Sequence, residues 1–158
     1  MLDVMSLLAP ELLASLSAWR EQGLRVVLTN GCFDILHSGH LSLLEAARRS
    51  GDRLVVALNS DRSVRALKGE GRPLIPEAER AELLLALEAV DQVVIYDEPT
   101  PIEVVRAVRP DVLVKGADWA ADAIVGRDEV EATGGRVLRV ELVPGRSTSG
   151  LLERIRGT

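Results

Sequence analysis

Two kinds of segment alternate along the chain. Short, β-branched-rich apolar runs occur at residues 24–29, 54–58, 93–96, 112–114 and 136–142, the pattern of strands buried on both faces. Between them apolar residues recur at helical spacing. Residues 40–49 carry Leu41, Leu44 and Ala47 on one side, with Gly51 as the stop. Residues 76–90 begin near Pro76 and set Leu83, Leu84 and Leu87 on one face. Residues 100–108 form a helix that must end before Pro110. Further helices are predicted at 128–133 and at about 148–156, and an added amphipathic helix at 10–21 with Gly23 as its stop. Strand–helix alternation implies parallel strands joined by right-handed crossovers. The expected fold is therefore α/β: a Rossmann-like, doubly wound, five-stranded parallel sheet in one three-layer αβα domain. Residues 1–22 are expected as an N-terminal helical extension and 23–158 as the domain proper. Residues 61–75 hold Lys68, Gly69, Gly71, Arg72 and Pro73 and few apolar side chains, so they are expected to form a mobile, functional loop.

Composition narrows the function classes. The chain has 158 residues and a formal net charge of −5. An acidic chain argues against binding nucleic-acid polymers or membrane surfaces but leaves room for one small nucleotide. The lone cysteine, Cys32, excludes a disulfide framework and a cysteine-rich zinc site. No apolar run approaches the ~18–20 residues of a membrane span. The first ten residues, interrupted by Asp3 and Ser6, make a poor secretory signal. A cytoplasmic protein is expected.

The chemistry concentrates after the first strand, in Asn30-Gly31-Cys32-Phe33-Asp34-Ile35-Leu36-His37-Ser38-Gly39-His40. Both histidines of the chain lie here, three residues apart, where a helix begins. That spacing puts both rings on one side of the first turn, beside free backbone N–H groups and the positive helix end. Gly39 permits close approach of a ligand. A helix-capping pair and an anion site are both open on these residues alone. Near the end, Pro144-Gly145-Arg146-Ser147-Thr148-Ser149-Gly150 offers Ser147 or Thr148 either as an N-cap or as a hydroxyl donor at a second phosphate-facing helix end. Lys68 and Arg72 are solvated loop charges or cations that close over a phosphate. Arg80 forms a surface salt bridge or meets substrate. The fourth strand runs into Lys115-Gly116-Ala117-Asp118-Trp119; Asp118 could hold ribose hydroxyls or help position a metal, or this is a strand-ending turn with Trp119 in the core. Asp34, Asn59 and Asp61 follow the first two strands, as substrate contacts or turn residues. Cys32 has no further histidine to pair with and is expected as a small buried side chain rather than a nucleophile.

The GCFDILHSGH segment resembles that of the HxGH nucleotidyltransferase superfamily. Taken with VALNSDRSVRALKGEGRP, PDVLVKGADW and LVPGRSTS, the chain from about Arg20 to Arg156 is similar to heptose 1-phosphate adenylyltransferases. The resemblance implies that AMP passes from ATP to a sugar phosphate, giving an ADP-sugar and pyrophosphate by direct in-line attack. It assigns phosphate-holding, catalytic roles to His37, His40 and Lys68. It makes Asn30, Gly31, Cys32, Phe33, Gly39, Lys115, Gly116, Asp118, Arg146, Ser147 and Thr148 nucleotide-binding, and Asp34, Asn59, Asp61 and Arg72 substrate-binding. Mg2+ is expected to arrive with ATP, held mainly through the triphosphate rather than by a protein metal motif. Expected partners are a nucleoside triphosphate, a small phosphorylated acceptor and a second copy of the chain, with residues 2–16 as a dimer contact. Ala117 and Trp119 stand where that family commonly has glycine and tyrosine, and Arg146 where it has lysine. Alternative acceptors within the superfamily are glycerol 3-phosphate (with CTP) and a flavin; a non-catalytic nucleotide-binding module is the third reading.

Overall fold

A computed structural model describes residues 8–157. Its centre is a five-stranded, all-parallel sheet in the order β3-β2-β1-β4-β5. The strands are β1 (Val26–Gly31), β2 (Arg53–Asn59), β3 (Gln92–Tyr96), β4 (Val112–Gly116) and β5 (Arg136–Val140). Successive residues serve opposite faces, as the pleat requires. Val26 and Leu28 face one core with Val55, Ala57 and Leu113. Val27 faces the other with Leu54, Val56, Leu58 and Val112. Helices α1 (Pro10–Glu21), α5 (Ile102–Val108) and α6 (Arg127–Ala132) cover the first face, and α2 (Ser38–Arg49) and α4 (Glu77–Leu85) the second. This is the expected three-layer α/β fold.

Leu8, Leu12 and Leu16 are buried in the same core as the sheet, so the inner face of α1 is spent on this chain's own packing. The remainder of the 2–16 dimer-contact expectation, residues 2–7, lies outside the described residues. Among the described residues no helix is long and apolar enough to cross a membrane.

Two sequence expectations need correction. The segment 61–75 is not wholly loop: its first half is helix α3 (Asp61–Lys68). Ser60 caps it by accepting the Ser63 N–H, Asp61 sits in the first turn, and Val64 is buried. The helix escaped notice because only one stripe, Val64 and Leu67, is apolar. Helix α4 stops at Leu85 instead of running to Val90, passing through tight turns at Leu87 and Val90. Its inner face is also different: Leu84 is buried, but Leu83 is exposed and the fully buried neighbour is Arg80. The last helix, α7 (Thr148–Arg156), buries no residue completely.

Candidate active site

Strand order reverses at β1, whose carboxyl end lies between those of β2 and β4. In open α/β sheets such a switch opens a ligand crevice. A cavity of about 500 Å³ occupies it.

The β1–α2 junction builds its floor. Phe33, in the left-handed region at φ 45°, turns the chain sharply, a strained conformation for a bulky residue. Its ring lies 5.3 Å from that of His40. His37 is the N-cap of α2: its Nδ1 accepts the Gly39 N–H at 3.0 Å, and His40 Nδ1 accepts the His37 N–H at 3.3 Å. The two rings stack with centroids 3.8 Å apart. This is the capping arrangement of the two readings open on the sequence. With Nδ1 of His37 committed as an acceptor, the neutral ring carries its proton on Nε2, where it can serve a ligand. Gly39 is required for this packing, because a Cβ there would lie 2.8 Å from the His37 ring and 3.1 Å from Arg146 Cβ.

Burial lowers the pKa of both imidazoles. Desolvation, then the neighbouring His37 and Lys68, push His40 down to about 4, against a hydrogen bond with the Ile35 carbonyl. Desolvation and then Arg146 lower His37. At neutral pH the pair is uncharged, and an approaching phosphate would favour its protonation.

The N-terminus of α7 closes the far wall. Ser147 is its N-cap, accepting the Gly150 N–H at 3.0 Å; Thr148 lines the main cavity. A second cavity of about 320 Å³ lies on the His37 side, lined by Ser38, Arg146, Ser147 and Arg154 among others, with no carboxylate on its wall. The histidine stack stands between the two spaces, His40 on one and His37 on the other.

Lys68, Lys115 and Asp118 also line the main cavity. Burial lowers the Lys115 pKa, against the nearby Asp118. Lys115 Nζ donates to Asn30 Oδ1 at 3.1 Å and lies 5.0 Å above the Trp119 ring. Trp119 is 47% exposed at the cavity edge, which corrects the expectation of a core tryptophan. Gly116 admits Asp118 and Leu142, whose side chains would meet a Cβ at 2.6 and 2.9 Å. Burial raises the Cys32 pKa, and its Sγ sits 3.8 Å from Asn59 Oδ1; the residue is half-buried and lines the main cavity rather than being enclosed as expected.

Several predicted substrate residues are engaged within the protein. Asp34 is buried and accepts from Arg72 Nε at 2.8 Å and from the Leu74 and Ile75 N–H groups. Burial pushes its carboxyl up, but these donors outweigh it and hold the pKa below the usual range. Asp34 thus clips the end of the Lys68 loop to the β1–α2 junction. Arg72 Nη2 is buried without a hydrogen-bond partner. Asn59 Nδ2 donates to Ser63 Oγ at 3.0 Å. Asp61 does not line the cavity; it accepts the Glu77 N–H at 2.8 Å and pairs with Arg80 at 2.8 Å, while Glu77 accepts the Asp61 N–H.

Arg80 is neither a surface ion pair nor a substrate contact. It is fully buried and donates to the carbonyls of Cys32, Asn59 and Ile75 as well as to Asp61. One guanidinium therefore ties the ends of β1 and β2 to the root of the loop. Among residues the sequence reading missed, Tyr96 and Thr100 line the cavity and Arg154 the smaller one. For Tyr96 a signal existed: it ends the third strand at the ligand edge of the sheet.

No group of three or more His, Cys, Asp or Glu side chains gathers into a metal site among the described residues.

The cytidylyltransferase-like family model matches residues 28–152, and the chain belongs to that family; it is a nucleotidyltransferase. Its relatives sharpen the class. The chain is 56% identical over 144 residues to the bifunctional protein HldE of Methylobacillus flagellatus and 58% identical over 144 residues to HldE of Koribacter versatilis. Each match covers 91% of this chain and 30% of the relative, so the chain spans under a third of their length. Among solved structures, a lipopolysaccharide core biosynthesis protein from Thermoplasma volcanium superposes with a TM-score of 0.63 at 30% identity, covering 77% of this chain and 98% of that one. A pantothenate synthetase from Thermus thermophilus, 21% identical with a TM-score of 0.53, shares the fold.

Proposed function

We propose that this chain transfers AMP from ATP to heptose 1-phosphate, releasing pyrophosphate and ADP-heptose. The observation that carries the reading is the stacked His37–His40 pair at the N-terminus of α2, facing the N-terminus of α7 across the cavity. Two helix ends, the His37 imidazole, Lys68 and Arg146 supply the donors a triphosphate needs. Their convergence is what a transfer dominated by positioning and charge stabilisation requires. The identity to the HldE proteins supports the heptose acceptor.

In this mechanism an oxygen of the acceptor phosphate attacks the α-phosphorus. The bond between the α-phosphorus and its bridging oxygen to the β-phosphate breaks, and pyrophosphate leaves with the electron pair. The acceptor phosphate has a second pKa of about 6, so it is already ionised and needs no general base. His37 donates through Nε2 to an oxygen that gains charge as the bond breaks, and His40, stacked against it, holds that ring beside the phosphates. Arg72 acts through Asp34, holding the end of the loop at the β1–α2 junction. Mg2+ bound through the triphosphate would screen its charge. The reaction belongs in the cytoplasm, where ATP is supplied, and the working form is a homodimer.

The test is pyrophosphate release across ATP and CTP with a panel of sugar and polyol phosphates. ATP with heptose 1-phosphate should give the highest kcat/KM. Release with CTP and glycerol 3-phosphate but not with ATP and heptose 1-phosphate would replace this reading with its cytidylyltransferase alternative.

A further inference from the structure

The carboxyl ends of β4, β1 and β3 are joined beneath the main cavity by a row of side-chain hydrogen bonds. Lys115 Nζ donates to Asn30 Oδ1 at 3.1 Å, and Asn30 Nδ2 donates to Tyr96 Oη at 3.3 Å. The direction of the row is set at its first member. An ammonium can only donate, so the Asn30 amide must turn its oxygen to Lys115 and its nitrogen to Tyr96. The tyrosine oxygen is then an acceptor within the row, and its own proton is left for a ligand oxygen. Burial raises the Tyr96 pKa, which keeps the hydroxyl protonated.

We infer that Tyr96 reads a hydroxyl group of the acceptor and helps set acceptor specificity. This rests on the nucleotidyl-transfer reading. Apart from Lys68, which reaches in from the end of α3, the triphosphate donors occupy the β1–α2 junction and the start of α7, which follows β5. The nucleotide therefore takes the β1–β4–β5 half of the crevice. In-line attack comes from the side of the α-phosphorus opposite the departing pyrophosphate, which directs the acceptor to the β2–β3 half. There Tyr96 shares the cavity wall with Leu67, Pro99 and Thr100. Apolar walls around one oriented donor suit a ring that presents carbon on its faces and hydroxyls at its edge, the chemistry of a sugar phosphate.

The experiment is steady-state pyrophosphate release by the full chain and its Tyr96→Phe variant, using the acceptor the wild type prefers and that acceptor's single-deoxy analogues. Loss of one neutral hydrogen bond should raise the acceptor KM roughly tenfold and leave the ATP KM within about twofold. One deoxy analogue should bind both enzymes equally, because the partner hydroxyl is already gone. The inference is overturned if the ATP KM rises as much as the acceptor KM, if neither KM moves, or if every analogue retains the tenfold difference. Turnover with an acceptor other than heptose 1-phosphate would overturn the proposed substrate while leaving this comparison decisive for Tyr96. Absence of turnover with every acceptor would overturn both.

Discussion

The histidine junction and the Lys68 loop both bring cationic or donor groups to the cavity, and both depend on glycine, for opposite reasons. Gly39 is crowded: a Cβ would strike the His37 ring. Gly69 and Gly71 have nothing within 4 Å of a Cβ, but adopt φ of 94° and 87°. The first region uses glycine for close packing and holds its rings by reciprocal caps and stacking. The second uses glycine for backbone freedom, and its tip is tied down only beyond the glycines, where Asp34 receives Arg72, Leu74 and Ile75. One region is preorganised, as the proposed charge stabilisation demands; in the other, the proposed role of Lys68 calls for a loop that closes over the substrate.

The strongest test of this contrast is on the rigid side. His40→Ala removes the stacking partner that holds the His37 donor in place. We expect kcat/KM to fall about 10²–10³-fold, the scale of losing one preorganised donor, measured by pyrophosphate release. Near-wild-type turnover would show that the stack caps the helix and nothing more.

Arg80 separates the root of the loop from its tip. Arg80→Met removes donors from three carbonyls, that of Asn59 buried, and leaves Asp61 without its ion pair. A loss of about 3–5 kcal/mol in unfolding free energy is expected, read by urea denaturation. A loss below about 1 kcal/mol would mean that the loop root is not anchored as described.

Gly39→Ala comes next. The added methyl must displace the His37 ring or the Arg146 side chain, and kcat should fall by at least tenfold, since a misplacement of about 1 Å can cost far more. The cap should also weaken, lowering Tm by a few degrees.

The histidine environment also predicts a pH dependence. The folded pKa of His40, about 4, lies below its ordinary value of 6.5. Between those values the unfolded chain binds the extra proton, so stability is full above about pH 6.5 and is lost as pH falls toward 4. His37 shifts in the same direction. Asp34, held low by its donors, loses its contribution only further down, as pH falls through its own depressed pKa. A His40→Asn variant should flatten the slope of unfolding free energy between pH 6.5 and 4; an unchanged slope would contradict the buried, neutral ring.

The sheet and the histidine junction were legible in the sequence because each rests on local pattern: β-branched runs, helical spacing and a motif of contiguous residues. The residues misread were those whose partners are remote. Arg80 in an amphipathic helix looks like a surface charge until the fold brings the carbonyls of Cys32 and Asn59 to it. Asp34 lies on the cavity wall as expected, but its carboxylate also receives Arg72, which the loop returns 38 residues later. Trp119 looks like core because tryptophan is usually well buried, but here it edges the cavity. Helix α3 carried local signals in Ser60 and Asp61, which the glycines and charges after it obscured.

The smallest expected effect tests the mobile side. Gly69 caps α3 at φ 94°, ψ 179°, a region open essentially only to glycine, where other residues cost about 1–3 kcal/mol. Gly69→Ala meets no neighbour, so the strain can be relieved by reshaping the loop without disturbing a packed core. Tm should therefore change little. Lys68, the preceding residue, should be misdirected, raising the ATP KM several-fold while kcat stays within about threefold. Gly39→Ala should do the reverse, lowering kcat and Tm together. If Gly69→Ala lowered Tm as much as Gly39→Ala, the loop would be part of the rigid framework. If it left the ATP KM unchanged, Lys68 would not approach the nucleotide from this hinge.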